Sequence, residues 1–230
     1  MKQLIVRYNK QKGMMKKLFL LLGITCLSAA GFAQSGTTGD CTWAITGSFD
    51  NYTLPISGNG KMKNYHAIGV LNTPWFLDQK QIRTLQLEQG VTDLGNWAFS
   101  SCNLTSVNIP ESVTSIGEGT FAGCSNLTSI TTPNNVTSIG ITAFANCSRL
   151  TSIIISGSVT GIGSQAFGSC SRLRDVTVEW ATPLSVKKSV FAGVPLAKAT
   201  LHVPAGTKAR YEAADVWKKF GTIVEDVEAK

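Results

Sequence analysis

The amino-acid sequence predicts an α+β repeat solenoid, a fold in which short, similar units stack along one axis. Three observations lead to this prediction. A pattern of apolar, serine, threonine and proline residues recurs every 23 residues through the middle of the 230-residue chain. Each copy contains a stretch in which apolar and polar residues alternate, as they do in a β-strand. The segments on either side of the repeats differ from them in composition, as expected of the ends of such an array.

Residues 1–33 have the pattern of a cleaved signal peptide. Lys17 ends a basic stretch, an apolar run follows it, and small residues lead up to Ala33. Because the run is shorter than the roughly 20 apolar residues of a membrane-spanning helix, we expect no membrane span in the mature chain. Lipidation at Cys26, a retained membrane anchor, and translation from Met14 or Met15 are alternatives that the sequence leaves open. We therefore expect export, to the cell surface, the periplasm or the medium.

The basic charge of the chain is concentrated in this predicted signal. The whole sequence has 21 basic and 14 acidic residues and a formal net charge of +7. Six of the basic residues and none of the acidic residues lie in residues 1–33, which leaves the mature chain with a formal charge of +1. A nearly neutral chain lacks the basic surface that nucleic-acid binding requires, so we expect no nucleic-acid partner.

Each repeat begins with a segment that predicts a β-strand. The segment from Leu104 to Pro110 recurs from Leu127 to Pro133 and from Leu150 to Ser156. In the first copy Ser106 and Asn108 alternate with apolar residues, which predicts a strand with one buried face and one exposed face. The proline that ends two of these segments cannot donate a hydrogen bond in a ladder, and so it marks the end of the strand.

The rest of each repeat is expected to lead the chain back to the next strand. A Val-Thr-x-Ile-Gly element follows, then a phenylalanine, and then a cysteine three residues later. We expect a turn and a short helical or irregular return here, with Gly117, Gly140 and Gly163 in tight turns. A shorter copy over residues 82–103 precedes the regular units and a degenerate copy follows them, so the repeats are assigned to residues 82–195.

The segments that flank the repeats are expected to close the array. A solenoid has an open core and an unpaired strand edge at each end, and both have to be covered. Residues 34–81 are rich in aromatic and turn residues, which suits an N-terminal β-hairpin cap. Residues 196–230 suit a terminal repeat followed by a C-terminal helical cap, because the pattern from Thr207 to Phe220 is that of an amphipathic helix.

The pattern L-x-x-V-x-I-P-x-x-V-x-x-I-G-x-x-x-F-x-x-C, carried by residues 104–124, resembles that of the BspA-like (Treponema pallidum-type) leucine-rich repeat proteins of bacterial surfaces. Residues 43–75 look like the hairpin region that often precedes these repeats, and residues 201–220 look like the family's closing unit. Thr132 and Ser156 depart from the pattern, in place of an apolar residue and a proline. The resemblance implies a leucine-rich repeat fold with short β-strands on the concave face. It also implies adhesion to macromolecules of a host or a neighbouring cell.

The cysteines of the repeats predict a buried column and not a metal or redox site. Cys102, Cys124, Cys147 and Cys170 lie 22 or 23 residues apart, whereas zinc and redox sites have closely spaced pairs. Stacking would place them about 4.8 Å apart inside the core, where cysteine behaves as a small apolar residue. We therefore expect buried free thiols. The role of Cys41 is left open.

Catalytic chemistry has little support in the sequence. The two histidines, His66 and His202, lie in different parts of the chain, and neither belongs to a recognisable triad or metal-binding pattern. The acidic residues are scattered, so no paired-carboxylate site is indicated. We expect a protein that is not an enzyme and that has no cofactor or metal.

The outward side chains of the predicted strands form the candidate binding site. Because equivalent repeat positions align along a solenoid, these side chains should form two columns across the concave sheet. The columns are polar and almost uncharged, which suits a protein or glycan ligand recognised by hydrogen bonds and shape. The first column is Thr84, Ser106, Ser129, Ser152, Asp175 and Thr200, and the second is Gln86, Asn108, Thr131, Ile154, Thr177 and His202.

The sequence favours a secreted or cell-surface monomer that binds proteins or glycans without catalysis. The alternative is a structural or accessory module of the cell envelope with no external ligand. In that case the serines and threonines would only keep an exposed sheet soluble and favour strand formation. The sequence alone supports both interpretations of the exposed columns.

Overall fold

The computed structural model describes residues 34–48, 51–66 and 73–227. The predicted signal peptide, with Met14 and Cys26, lies outside these residues. Within them the chain forms sixteen β-strands, one α-helix and four short 3₁₀-helices. The strands are β1 (Ser35–Thr38), β2 (Cys41–Ala44), β3 (Thr46–Ser48), β4 (Asn51–Gly58), β5 (Gly60–Lys61), β6 (Ile82–Leu87), β7 (Val91–Leu94), β8 (Ser106–Asn108), β9 (Ser115–Ile116), β10 (Ser129–Thr131), β11 (Ser138–Ile139), β12 (Ser152–Ile155), β13 (Gly161–Ile162), β14 (Asp175–Val178), β15 (Thr200–Pro204) and β16 (Thr222–Val227). The helix α1 is Lys208–Ala213, and the 3₁₀-helices are Phe76–Asp78, Lys188–Phe191, Leu196–Lys198 and Trp217–Lys219.

The repeats contribute strands to three hydrogen-bonded sheets, two of longer strands and one of shorter strands, and the repeat strands pair in parallel. The two sheets of longer strands lie next to each other and are together called the sheet of longer strands. In the sheet of longer strands, β4 pairs with β6 and β6 with β8, and a second ladder runs through β10, β12, β14, β15 and β16. Between these ladders the N–H of Thr128 donates to the carbonyl oxygen of Thr105 at 3.4 Å. The shorter strands pair in the order β5, β7, β9, β11 and β13. The units therefore stack in sequence order, as in a leucine-rich repeat solenoid.

The sheet of shorter strands corrects the expectation of an irregular or helical return. The Val-Thr-x-Ile-Gly elements form β9, β11 and β13, in which Ile116 pairs with Ile139 and Ile139 with Ile162. The equivalent segment of the preceding unit, with leucine in place of isoleucine, forms β7. Turns make up most of the remaining return, so the helical content of the fold is small. Three of these four strands have only two residues, too few to show an alternating pattern, and for that reason the periodicity of the sequence could not reveal them.

The N-terminal segment is antiparallel and joins the parallel sheet through one strand. β1 and β2 form a hairpin in which Thr38 pairs with Cys41. β4 pairs antiparallel with β2 and β3 and parallel with β6. The sheet of longer strands therefore continues from the repeats into the hairpin region without an unpaired edge between them.

A column of stacked aromatic rings runs along the core. Neighbouring ring centroids are 5.4 to 5.8 Å apart, and the planes of adjacent rings differ by 3° to 22°. The first ring belongs to a tryptophan at the position that phenylalanine takes in the later units, so the repeat pattern begins before residue 82. The column is Trp75, Phe99, Phe121, Phe144, Phe167 and Phe191.

The cysteines form a second column beside these rings and confirm the expectation of buried free thiols. Cys102, Cys124, Cys147 and Cys170 are all buried and none is in a disulfide, and the same is true of Cys41. In the last three repeat cysteines the thiol donates a hydrogen bond, at 3.2 to 3.3 Å, to a phenylalanine carbonyl oxygen of the preceding unit. Burial raises the pKa of the Cys102 and Cys170 thiols to about 12.

The repeated glycines are explained by close approach between units and not by left-handed turns. Gly117, Gly140 and Gly163 are absent from the residues with positive φ. A Cβ at Gly140 would lie 2.5 Å from the carbonyl carbon of Gly117, and one at Gly163 would lie 2.3 Å from the backbone nitrogen of Ile141. Any side chain here would collide with the backbone of the preceding unit.

The C-terminal segment differs from the single helix that the sequence predicts. The helix α1 ends at Ala213 because Ala214 is extended, with φ −83° and ψ 134°, and a 3₁₀-turn follows at Trp217–Lys219. This break lets Tyr211, Trp217 and Phe220 all reach the core. The last strand, β16, then pairs in parallel with β15. No helix in the described ranges has the length and apolar character needed to cross a lipid bilayer.

Candidate binding face

The predicted columns of outward residues lie in register on the sheet of longer strands, and together we call them the strand face. Register pairs link each predicted residue to its neighbour within the two ladders described above. In the first ladder the pairs are Thr84 with Ser106 and Gln86 with Asn108. In the second ladder the columns are Ser129, Ser152, Asp175 and Thr200, and Thr131, Ile154, Thr177 and His202.

The strand face is open to solvent and neutral over most of its length. The residues of the face on β6, β8 and β10 are exposed, and the only large apolar side chain of the face, that of Ile154, is 38% exposed. Ser152, Thr177, Thr200 and His202 are half-buried. An acidic side chain enters the face only at Asp175, so a ligand on β6 to β10 would meet hydroxyl and amide groups.

The polar side chains at the start of the face differ from other hydroxyls of the repeat in their hydrogen bonding. Within the described part of the chain, the side chains of the strand face on β6, β8 and β10 have no hydrogen-bond partner. The threonines beside the strands behave differently, since the Thr151 hydroxyl donates to the carbonyl oxygen of Thr128 at 3.1 Å. In the other sheet, the hydroxyl of Thr160 donates to the carbonyl oxygen of Thr137 at 3.2 Å. The hydroxyls that stabilise the stacking are therefore separate from those that the strand face presents.

At the C-terminal end of the face, two ionisable residues of the predicted columns are joined by a third that the sequence did not predict. Nδ1 of His202 lies 2.7 Å from Oδ2 of Asp226, and its Nε2 lies 3.7 Å from Oδ1 of Asp175. Asp226 belongs to β16, and it was missed because the segment after Phe220 was not assigned to a strand. Ile223 and Val224 are adjacent β-branched residues, which is a weak signal of a strand that could have revealed it.

The described residues contain no group of three or more histidine, cysteine, aspartate or glutamate side chains that could hold a metal ion.

The ends of the aromatic column are covered by rings in a different orientation. Trp43 and Tyr65 pack edge-on against Trp75, at centroid distances of 5.6 and 6.0 Å. Trp217 and Phe220 pack edge-on against Phe191, each at 5.9 Å.

Comparison with known proteins agrees with this architecture. A leucine-rich repeat protein from Eubacterium ventriosum is similar, with 27% identity and a TM-score of 0.50, over 64% of this chain and 44% of that chain. The pneumococcal vaccine antigen PcpA has a similar fold, with 22% identity and a TM-score of 0.52, over 64% of this chain and 36% of that chain. This chain therefore spans less than half the length of either protein. The comparison with curated proteins found no match.

The repeat region also matches a family profile. The profile, described as BspA type leucine rich repeat region, matches six copies over residues 70–202. The match covers more than half of the chain and begins before residue 82, in keeping with the place of Trp75 in the aromatic column. It confirms the resemblance that the repeat pattern indicates. The chain belongs to the BspA-type leucine-rich repeat family.

Proposed function

We propose that this chain is an exported binding protein whose strand face holds a protein or glycan partner without catalysing a reaction. The observation that carries the proposal is that two sets of polar side chains differ in their hydrogen bonding. The threonines beside the strands bond to the preceding unit, whereas the side chains of the strand face on β6, β8 and β10 have no partner in the described part of the chain. Exposed donors and acceptors in register are free to bind an extended ligand.

The chemistry of the face favours a neutral partner. Ser106, Asn108, Ser129 and Thr131 offer hydroxyl and amide groups at intervals of about 4.8 Å from strand to strand. Such groups suit the hydroxyls of a glycan or the backbone of a protein. A phosphate-rich polymer would need many lysine or arginine contacts, which the face does not offer.

Export and surface exposure are part of the same proposal. The signal-like pattern of residues 1–33 supports export. A structural neighbour described as a vaccine antigen is in keeping with exposure at a bacterial surface. We also propose that the chain acts as a monomer and that residues 82–195 belong to the repeat array.

We further propose that residues 34–81 and 196–230 act as caps. Edge-on rings at both ends of the aromatic column support this role, because they cover faces of Trp75 and Phe191 that no further repeat covers. The antiparallel strands before β4 and the strand β16 after β15 supply further cover for the open ends.

The experiment is an array of neutral glycans, acidic glycans and host proteins, probed with the full chain and with three variants. Asn108→Arg and Thr131→Arg each place a long cation on the strand face, and we expect either one to weaken binding by about tenfold or more because it blocks the hydrogen-bonding surface. Ser138→Arg is the matched control, since Ser138 is exposed on the other sheet. All three should keep the melting temperature of the wild type.

Unchanged binding by both face variants would reject the strand face as the binding site. A blank array for the wild-type chain would instead favour the alternative function, a structural or accessory module of the envelope without an external ligand.

A further inference from the structure

Two residues in adjacent repeat units depart from the repeat pattern, and both belong to one polar network. Thr132 takes the place of an apolar residue such as Ile109, and Ser156 takes the place of a proline such as Pro133. Each of the two is only 3% exposed. Burying polar groups without hydrogen bonds is unfavourable, so two such departures in contact call for a structural explanation.

The two departing residues are joined by a hydrogen bond that satisfies a buried polar group of each. The backbone N–H of Ser156, which a proline would lack, donates to Oγ1 of Thr132 at 2.8 Å. The Ser156 hydroxyl donates to Oδ1 of Asn134 at 3.1 Å, and the Ser158 hydroxyl lies 3.1 Å from that of Ser156. This network fixes the segments that follow β10 and β12, and in doing so it holds Asn134 and Ser158 in place.

A pocket of about 380 Å³ opens at this network, at the carboxyl ends of β10, β12 and β14. Its volume falls within the range of roughly 300–1,000 Å³ that is usual for small-molecule sites. The residues that line it carry hydroxyl, amide and carboxylate groups together with one indole ring, and none of them is a lysine, arginine or histidine. They are Asn134, Ser156, Gly157, Ser158, Glu179, Trp180, Ala181 and Thr182.

The aromatic wall of the pocket is held rigidly. Nε1 of Trp180 donates to the carbonyl oxygen of Val159 at 2.8 Å, and the hydroxyl of Tyr211 donates to the carbonyl oxygen of Trp180 at 2.7 Å. On another side, Oε2 of Glu179 accepts a hydrogen bond from the N–H of Gly157 at 3.4 Å. Fixed polar groups around one aromatic side chain lower the entropic cost of ordering the site when a ligand binds.

We propose that this pocket binds a short neutral saccharide. Hydroxyl, amide and carboxylate groups can accept and donate hydrogen bonds to sugar hydroxyls. Trp180 is 8% exposed, so its indole adds only a small apolar surface at the pocket wall. The lining residues include no cationic side chain that could pair with an anion, which disfavours phosphorylated, sulfated or uronic-acid ligands. The pocket is separate from the strand face, so it is tested with different variants.

The test is saturation-transfer NMR followed by calorimetry on the full chain. The probes are the methyl glycosides of glucose, galactose, mannose and N-acetylglucosamine, with glucuronic acid and glucose 6-phosphate as anionic comparisons. We expect binding of at least one neutral probe, and weaker binding of the anionic probes. Glu179→Gln should weaken that binding about tenfold, because it removes a charge-assisted hydrogen bond. Ala181→Trp, at an exposed position in the lining, should abolish it by filling the pocket.

Glu88→Gln is the control for the pocket variants. It changes an exposed glutamate outside the lining, so it should bind the probe as the wild type does. If Ala181→Trp fails to fold, Asn134→Ala, which removes an exposed amide of the rim, takes its place. The proposal is overturned if no neutral probe binds, if the folded pocket variants bind normally, or if the anionic probes bind more tightly.

Discussion

Gly140 and its equivalents lie where one repeat unit touches the backbone of the unit before it. The sequence shows that a glycine recurs, but the usual explanation for such a glycine, a left-handed turn, is wrong here. Left-handed backbone occurs instead at other repeat positions, including non-glycine residues such as Thr142 (φ 52°) and Gln165 (φ 55°). Only the distance between adjacent units explains Gly140, and a single sequence does not contain that distance.

The first prediction compares two glycines of the same array. Gly140→Ala should lower the free energy of unfolding by about 1–3 kcal/mol, because the new Cβ overlaps the backbone of Gly117. Gly161→Ala is the control, since no atom lies within 4 Å of the position that its new methyl group would take, and it should change stability by no more than about 1 kcal/mol. Urea denaturation measures both. Equal effects of the two substitutions would contradict the close-approach explanation.

The second prediction concerns the pH dependence of stability. Burial raises the pKa of Cys102 and Cys170 from 9.0 to about 12, so these thiols stay protonated in the folded chain while they ionise in the unfolded chain. Above pH 9 the unfolded state then binds fewer protons than the folded state, and the free energy of unfolding falls as the pH rises towards 12. Urea denaturation at a series of pH values between these limits measures the fall.

The double variant Cys102→Ala, Cys170→Ala is the control for this pH dependence, and it should show a shallower fall. Thiol labelling of the native protein gives a second check, because buried thiols with raised pKa values should react only after unfolding. Rapid labelling of both cysteines in the native state near pH 9 would contradict the account.

At the scale of secondary-structure elements, the sequence was most informative where a strand was long enough to alternate. The outward positions of β6, β8, β10, β12, β14 and β15 were predicted in register because apolar and polar residues follow a period of two there. The shorter strands and β16 were missed, the former because they are mostly two residues long and the latter because it carries two acids. The break after α1 was missed because it depends on how Tyr211 and Trp217 fit the last unit, which is a tertiary effect.

The third prediction tests the polar network between adjacent units. Thr132→Ile alone removes the acceptor of the Ser156 N–H, and Ser156→Pro alone removes the donor to Thr132, so each should destabilise the chain. The double variant restores the usual residues of the repeat and should be more stable than the sum of the single changes predicts, by about 1 kcal/mol or more. A double-mutant cycle in urea measures this coupling, and a value near zero would show that the two departures are independent.

At the scale of the whole molecule, a repeat architecture separates the residues that build the fold from those that are free to bind. The strand face was predicted from the sequence, whereas the pocket beside Trp180 was not. Its lining residues come from three units. In the sequence, the two departures at this place, Thr132 and Ser156, look like unrelated irregularities, and only the structure shows the hydrogen bond between them. The charge of the chain also favours a neutral partner, since the part after residue 33 is nearly neutral and its outward columns are mostly hydroxyls and amides.

The most direct test of the strand face is the affinity of the full chain for the partner found on the array, measured by surface plasmon resonance beside Thr131→Arg and Ser138→Arg. We expect Thr131→Arg to weaken binding by about tenfold or more, as expected when about 1.4 kcal/mol of contact energy is lost, and Ser138→Arg to bind as the wild type does. Equal affinities for all three proteins, with equal melting temperatures, would contradict this expectation.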